Sequence, residues 1–127
     1  MANKVCTIVG VVFLLVGILG FVMPGLLGAH LSMAHNIVHL VSGVLALYIG
    51  LKGSAGAAKT FCLVFGVVYL LLGIVGFVAG TGADRMLVVI AGQLELGTVD
   101  HAIHILLGIV FLVGGLMGAP AGAPRTA

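Results

Sequence analysis

Residues Cys6–Val22, CTIVGVVFLLVGILGFV, have a near-copy later in the chain at Cys62–Val78, CLVFGVVYLLLGIVGFV. Eleven of the seventeen aligned positions are identical, and three glycines fall in register in both copies. A helix that crosses a bilayer takes about 20 predominantly apolar residues, and each copy is close to that length. We therefore interpret the two stretches as the first members of a repeated membrane-spanning unit.

A second apolar run follows each copy and carries a weaker match. Asn36–Gly43, NIVHLVSG, is similar to His101–Gly108, HAIHILLG. The sequence thus predicts an all-α membrane protein of four transmembrane helices, built as a tandem repeat of a two-helix unit. Because each unit crosses the bilayer twice, both copies have the same orientation, which predicts parallel pseudo-two-fold symmetry about the membrane normal.

Four apolar runs set the expected domain organisation, at residues 5–23, 33–51, 60–79 and 99–117. Residues 1–117 are expected to form one transmembrane domain, with repeat 1 at 5–51 and repeat 2 at 60–117. Residues 118–127 are rich in Gly, Pro and Ala and are expected to form a flexible tail. A shorter apolar stretch at 86–91 is interpreted as an interfacial or re-entrant piece, although its Val-Val-Ile run also favours a strand.

The first run has features of a secretory signal peptide, because Lys4 precedes it and Leu27-Gly28-Ala29 would serve as a cleavage site. Its near-copy in the second half of the chain cannot have that role. We therefore expect the first run to be retained as a transmembrane helix.

The composition independently indicates a membrane protein. Hydrophobic residues make up 62% of the chain and charged residues 6%, with a mean hydropathy of +1.41. Soluble domains are about 45–50% apolar and about 25% charged, so this chain has too little polar surface for water. The lipid bilayer is the expected partner. A net charge of +2 without a basic cluster gives no indication of nucleic-acid binding.

Basic and acidic residues are expected on opposite sides of the membrane. The basic residues of one side are Lys4, Lys52, Lys59 and Arg125. The other side holds all three acidic residues and one arginine, namely Asp84, Arg85, Glu95 and Asp100. The positive-inside rule therefore predicts that the N-terminus and the C-terminus are both cytoplasmic.

Each span contains two glycines seven residues apart, which is two helical turns and hence one helix face. The pairs are Gly10 and Gly17, Gly43 and Gly50, Gly66 and Gly73, and Gly108 and Gly115. Small residues let helix backbones approach closely in lipid. We interpret these glycines as helix-packing positions.

Four histidines are candidate metal ligands, because pairs spaced by four or three residues share a helix face. They are His35 and His39 in the second span, and His101 and His104 in the fourth. A glycine follows His39 and His104 four residues later, which predicts that both face the protein interior. Imidazole binds transition metals and haem iron. The alternatives are structural hydrogen bonding, with His35, Asn36 and Asp100 capping the first helical turns, and proton or ion handling.

His30, in the outer loop, is expected to be solvated or to add a ligand. Cys6 and Cys62 begin their spans at the opposite end, about 30 Å of helix away, and cannot join a histidine site. Symmetry predicts that the two cysteines lie near each other, and a reducing cytoplasm predicts free thiols. The sequence contains no phosphate-binding glycine loop and no nucleophile elbow, so we do not expect an enzyme. No carboxylate lies within a span, which argues against a proton-coupled transporter.

These motifs resemble a family of small bacterial four-span membrane proteins, domain of unknown function 4383. The resemblance rests on an Asn- or Asp-containing turn followed by a helix of the form Leu-His-Leu-x-x-Gly, matched at Asn36–Gly43 and Asp100–Gly108. It covers the chain up to the tail and singles out His39 and His104. It implies a bacterial inner membrane and no known activity.

The sequence therefore predicts a small integral membrane protein without evident catalytic machinery, either structural or an accessory subunit. One alternative is a bis-histidine protein that binds haem, a pigment or a transition metal, although no cofactor is required. Another is a small oligomeric channel or transporter. Protein partners would be further copies of the chain or a larger membrane complex.

Overall fold

The structure is a computed structural model that describes residues 1–118. Its four long helices are α1 (Ala2–Val22), α2 (Met33–Lys52), α3 (Ala55–Ala79) and α4 (Thr98–Leu116). A 3₁₀ turn (Leu26–Gly28) lies between α1 and α2, and two strands, β1 (Leu87–Ile90) and β2 (Leu94–Leu96), lie between α3 and α4. The tail predicted at 118–127 falls outside the described residues apart from Gly118.

The four predicted spans are confirmed as helices long and apolar enough to cross a membrane. The third begins earlier than expected, because the Ser54 hydroxyl accepts a hydrogen bond from the Ala57 amide at 3.0 Å and so caps the helix at Ala55. In the most apolar 18-residue part of each helix, between 33% and 39% is buried inside the protein. Since the outward side chains are largely Val, Ile and Leu, lipid is the solvent that suits this surface.

The helices form two hairpins, in which α1 packs mainly on α2 and α3 mainly on α4. Glycines bring the backbones of each hairpin together. A Cβ atom placed on Gly10 would lie 2.7 Å from the Leu47 backbone nitrogen, and one placed on Gly108 would lie 2.6 Å from the Leu70 backbone nitrogen. No side chain larger than hydrogen fits at either position without moving a helix.

The two hairpins contact each other less extensively than the helices within each hairpin do, and larger side chains make these contacts. Phe13 of α1 lies against Phe111 of α4 with ring centroids 6.3 Å apart, and Phe111 lies 6.1 Å from the ring of Tyr69 in α3. All three side chains are buried. The middle of the bundle is therefore an aromatic layer that spans both hairpins.

The segment between α3 and α4 corrects the all-α prediction. For residues 86–91 the strand alternative is the one that the structure contains, because β1 pairs antiparallel with β2 in a small hairpin. The β-branched run Val88-Val89-Ile90 favours a strand, and Gly92 has the positive φ of +71° that this turn requires. The mostly helical fold thus carries a two-stranded cover on the side of the bundle that holds the acidic residues.

Candidate metal site between the helix hairpins

Three histidines from two helices converge inside the bundle. His35 and His39 project from α2 and His104 from α4, with exposed fractions of 3%, 6% and 3%. One possible ligand atom from each imidazole can be chosen so that all three atoms lie within 4.8 Å of one another. The expected approach of His39 and His104 is therefore present, and His35 completes a group of three, here called the histidine cluster.

Neighbouring groups hold each imidazole of the histidine cluster. His35 Nδ1 lies 2.8 Å from the His30 carbonyl oxygen, to which its N–H donates. This hydrogen bond leaves the lone pair of His35 on Nε2, as is common for a metal-binding histidine. The His39 ring stacks on Phe13 at 5.5 Å, and the His104 ring packs against Tyr69 at 5.4 Å.

Two imidazoles of the histidine cluster contain an unsatisfied nitrogen. His39 Nδ1 and His104 Nδ1 are buried without a hydrogen-bond partner among the described residues. Leaving a buried polar atom unsatisfied costs about 1–3 kcal/mol. The arrangement therefore has unused ligand capacity in its interior.

Two small apolar cavities flank the histidine cluster. One, of about 100 Å³, lies between α1 and α4, and the other, of about 180 Å³, lies between α2 and α3. All three histidines line both cavities. Pockets for drug-sized ligands are about 300–1,000 Å³, so this space suits an ion or a very small molecule better than a large ring system.

The fourth candidate, His101, does not join the cluster. Its Nε2–H donates to the Arg85 carbonyl oxygen at 2.7 Å, and its ring lies 5.3 Å from that of Phe77. The ring also occupies the space that a Cβ atom on Gly76 would need. His101 thus joins α4 to α3 and to the loop that follows α3.

Asp100 is a buried carboxylate beside the histidine cluster, with an exposed fraction of 2%. It accepts a hydrogen bond from the Gly97 amide at 2.9 Å, which caps α4 as expected, and another from the His30 amide at 3.1 Å. It also lines the smaller of the two cavities.

The expected capping of α2 by His35 or Asn36 was wrong. The Ser32 hydroxyl caps this helix, and neither the His35 nor the Asn36 side chain does so.

His30 does not enter the histidine cluster. Its side chain is 40% exposed and lies between two acids, with Nδ1 3.1 Å from Asp100 Oδ2 and Nε2 3.4 Å from Asp84 Oδ2. Asp100 is not among the predicted ligands, although aligning Asn36–Gly43 with His101–Gly108 shows its position. Asn36 aligns with His101, so the counterpart of His35 is Asp100.

Comparison of the sequence with models of known protein families identifies the family of this chain. The model of a family described as domain of unknown function (DUF4383) matches residues 4–117. The chain belongs to the DUF4383 family. No curated protein and no solved structure matches the chain.

Proposed function

We propose that this DUF4383 protein binds one transition-metal ion in the membrane, with His35, His39 and His104 as ligands. The observation that carries the proposal is the meeting of three buried imidazoles whose ligand atoms lie within 4.8 Å of one another. Imidazole suits zinc, copper, nickel and iron. Three protein ligands leave one coordination position open, which distinguishes such sites from closed structural ones.

The geometry requires only small adjustments to hold an ion. Zinc–nitrogen bonds are about 2.0–2.1 Å, so two nitrogens on one tetrahedral zinc lie roughly 3.4 Å apart. The three ligand atoms lie within 4.8 Å of one another, so they would have to approach by up to about 1.4 Å, and the flanking cavities leave space for the imidazoles to move. Asp100 lines one of these cavities and would supply negative charge near a cation in an apolar interior.

The other candidate functions have less support from this geometry. The small volumes of the two cavities favour an ion over haem or a pigment. Their largely apolar linings do not favour an ion-conducting path. A structural or accessory role is compatible with metal binding, and assembly into a homo-oligomer or a larger complex stays a prediction. We propose a binding role and no catalysis.

We also infer that a two-fold axis along the bundle relates the two hairpins. Cys6 Sγ lies 3.8 Å from the Ala58 carbonyl oxygen, and Cys62 Sγ lies 3.8 Å from the Ala2 carbonyl oxygen. Cys62 is the repeat counterpart of Cys6, and Ala58 is that of Ala2. The two contacts are therefore equivalent, with the roles of the two hairpins exchanged. Reciprocal contacts of this kind are characteristic of isologous interfaces.

The contacts inside the hairpins support the same inference. A Cβ atom on Gly10 would approach the Leu47 backbone nitrogen at 2.7 Å, and one on Gly66 would approach the Leu112 backbone nitrogen at 3.0 Å. Gly66 is the repeat counterpart of Gly10, and Leu112 that of Leu47. By the same alignment His39 and His104 are counterparts, so the proposed ion would lie close to the axis.

For orientation we propose a bacterial inner membrane, with both termini cytoplasmic and the histidine cluster in the outer half of the bundle. The separation of basic and acidic residues supports this topology. A reporter that is active only in the cytoplasm, fused to the C-terminus, should give signal. One that is active only outside, inserted beside Asp84, should also give signal, and silence from both would exclude the topology.

The experiment for metal binding is elemental analysis of purified protein after exposure to Zn²⁺ and removal of excess ion. The wild type should retain one zinc per chain, and His104→Gln should retain far less. His101→Gln is the matched control, because it changes a buried histidine one turn away that lies outside the cluster. Equal zinc in the wild type and His104→Gln would refute the site.

A further inference from the structure

A second pair of reactive side chains lies at the other end of the hairpin interface. Cys6 of α1 and Cys62 of α3 are the two cysteines of the chain. Both side chains have an exposed fraction of 0%, and their sulfur atoms are 3.6 Å apart. The predicted proximity of the two cysteines is therefore present, and it concerns neither the histidine cluster nor its proposed metal.

We propose that Cys6 and Cys62 form a redox-active dithiol, which a small, uncharged, lipid-soluble two-electron acceptor converts into a disulfide between the two hairpins. The restriction to such an acceptor follows from burial. A bulky protein disulfide cannot reach sulfur atoms that are enclosed within spanning helices, whereas a small molecule dissolved in the bilayer can approach them when the interface fluctuates.

The local geometry favours bond formation. A disulfide has a sulfur–sulfur distance of about 2.05 Å, so the sulfur atoms must approach by roughly 1.5 Å. Each sulfur already contacts the backbone of the opposite helix, at the carbonyl oxygens of Ala58 and Ala2 respectively. Alanine at these two buried positions lets α1 and α3 come close at this end.

The reaction is balanced without water. Each thiol loses its proton, one sulfur–sulfur bond forms, and two electrons and two protons pass to the acceptor. A quinone would leave as the hydroquinone, and a diazene as the hydrazine. With this end of the bundle in the cytoplasm, as proposed above, the resting form is the dithiol, and oxidising conditions produce the disulfide.

The disulfide would change the interface that holds the two halves together. The hairpins contact each other less extensively than the two helices within each hairpin do. A covalent bond between α1 and α3 would also restrict the unfolded chain, which raises stability. The oxidised protein should therefore melt at a higher temperature than the reduced protein, and a reductant should reverse the change.

The test uses diamide, a membrane-permeant diazene, on membranes that contain the full chain. After denaturation, the remaining thiols are counted by the gel shift that a maleimide–polyethylene glycol reagent produces. The wild type should give two adducts before diamide treatment and none after it, while remaining monomeric on a non-reducing gel. Two adducts after treatment, or loss of thiols with the appearance of dimers, would overturn the proposal.

Single-cysteine variants provide the matched controls. Cys6→Ala and Cys62→Ala should each give one adduct before and after treatment, because the remaining thiol has no partner. Diamide should raise the melting temperature of the wild type alone. An equal rise in either variant would also overturn the proposal, since it would show that the effect does not come from this bond.

Discussion

The contacts within each hairpin and the contacts between the hairpins are built differently. Within a hairpin, glycines such as Gly10 and Gly108 allow backbone atoms of neighbouring helices to touch. Between hairpins lie aromatic rings, the histidine cluster, the cysteine pair and the two apolar cavities. The difference indicates that the first kind of contact holds the fold, whereas the second has the space and the side chains for binding and chemistry.

The largest expected effect comes from filling a contact within a hairpin. In Gly108→Val, the new side chain would overlap the Leu70 backbone and force α3 and α4 apart, so the free energy of unfolding should fall by about 3 kcal/mol. Thermal melting in detergent measures this. Gly25→Ala is the control, because no atom lies within 4 Å of the added Cβ position. Similar melting temperatures for both variants would contradict the account of this interface.

The next effect concerns the contacts between the hairpins. Zinc at 100 times its dissociation constant should stabilise the wild type by about 2.7 kcal/mol, because it binds only the folded chain. His39→Leu should abolish this increase. It should not lower the stability of the metal-free protein, since it removes a buried nitrogen whose lack of a partner is itself unfavourable. Zinc-dependent stabilisation that persists in His39→Leu would remove His39 from the site.

Asp100 should show an intermediate effect. Asp100→Ala leaves the buried Gly97 amide and the His30 amide without their acceptor, so stability should fall by about 2 kcal/mol even without metal. Chemical denaturation of the metal-free protein measures the loss. Asp100→Asn retains an acceptor oxygen and should recover part of it. If the alanine and asparagine variants were equally unstable, the hydrogen bonds would not be the cause.

The smallest effect is expected at the exposed edge of the site. Asp84 is half exposed and lies 3.4 Å from His30, and a surface contact of this kind contributes about 0–1 kcal/mol. Asp84→Asn should therefore lower stability by less than about 1 kcal/mol and leave zinc retention unchanged. A large loss of zinc in this variant would mean that the outer loop contributes to binding.

The sequence predicted the spans and the approach of His39 to His104, because helical periodicity and the repeat register both determine which residues share a face. The sequence did not show that His35 belongs to the histidine cluster and that His101 does not. The counterpart of His35 is Asp100, so His101 lies one residue, or about 100°, further round its helix, and points toward α3. The β1–β2 hairpin depends on tertiary pairing, which so short an apolar run does not specify.

X-ray absorption spectroscopy of the zinc-loaded protein identifies the atoms that bind the ion, and the histidine cluster and the cysteine pair differ in their ligand atoms. Three imidazole nitrogens should appear as a shell at about 2.0–2.1 Å with the outer scattering of histidine rings, and His104→Gln should lack that shell. A sulfur shell at about 2.3 Å would contradict the account, since it would mean that zinc binds at Cys6 and Cys62 instead.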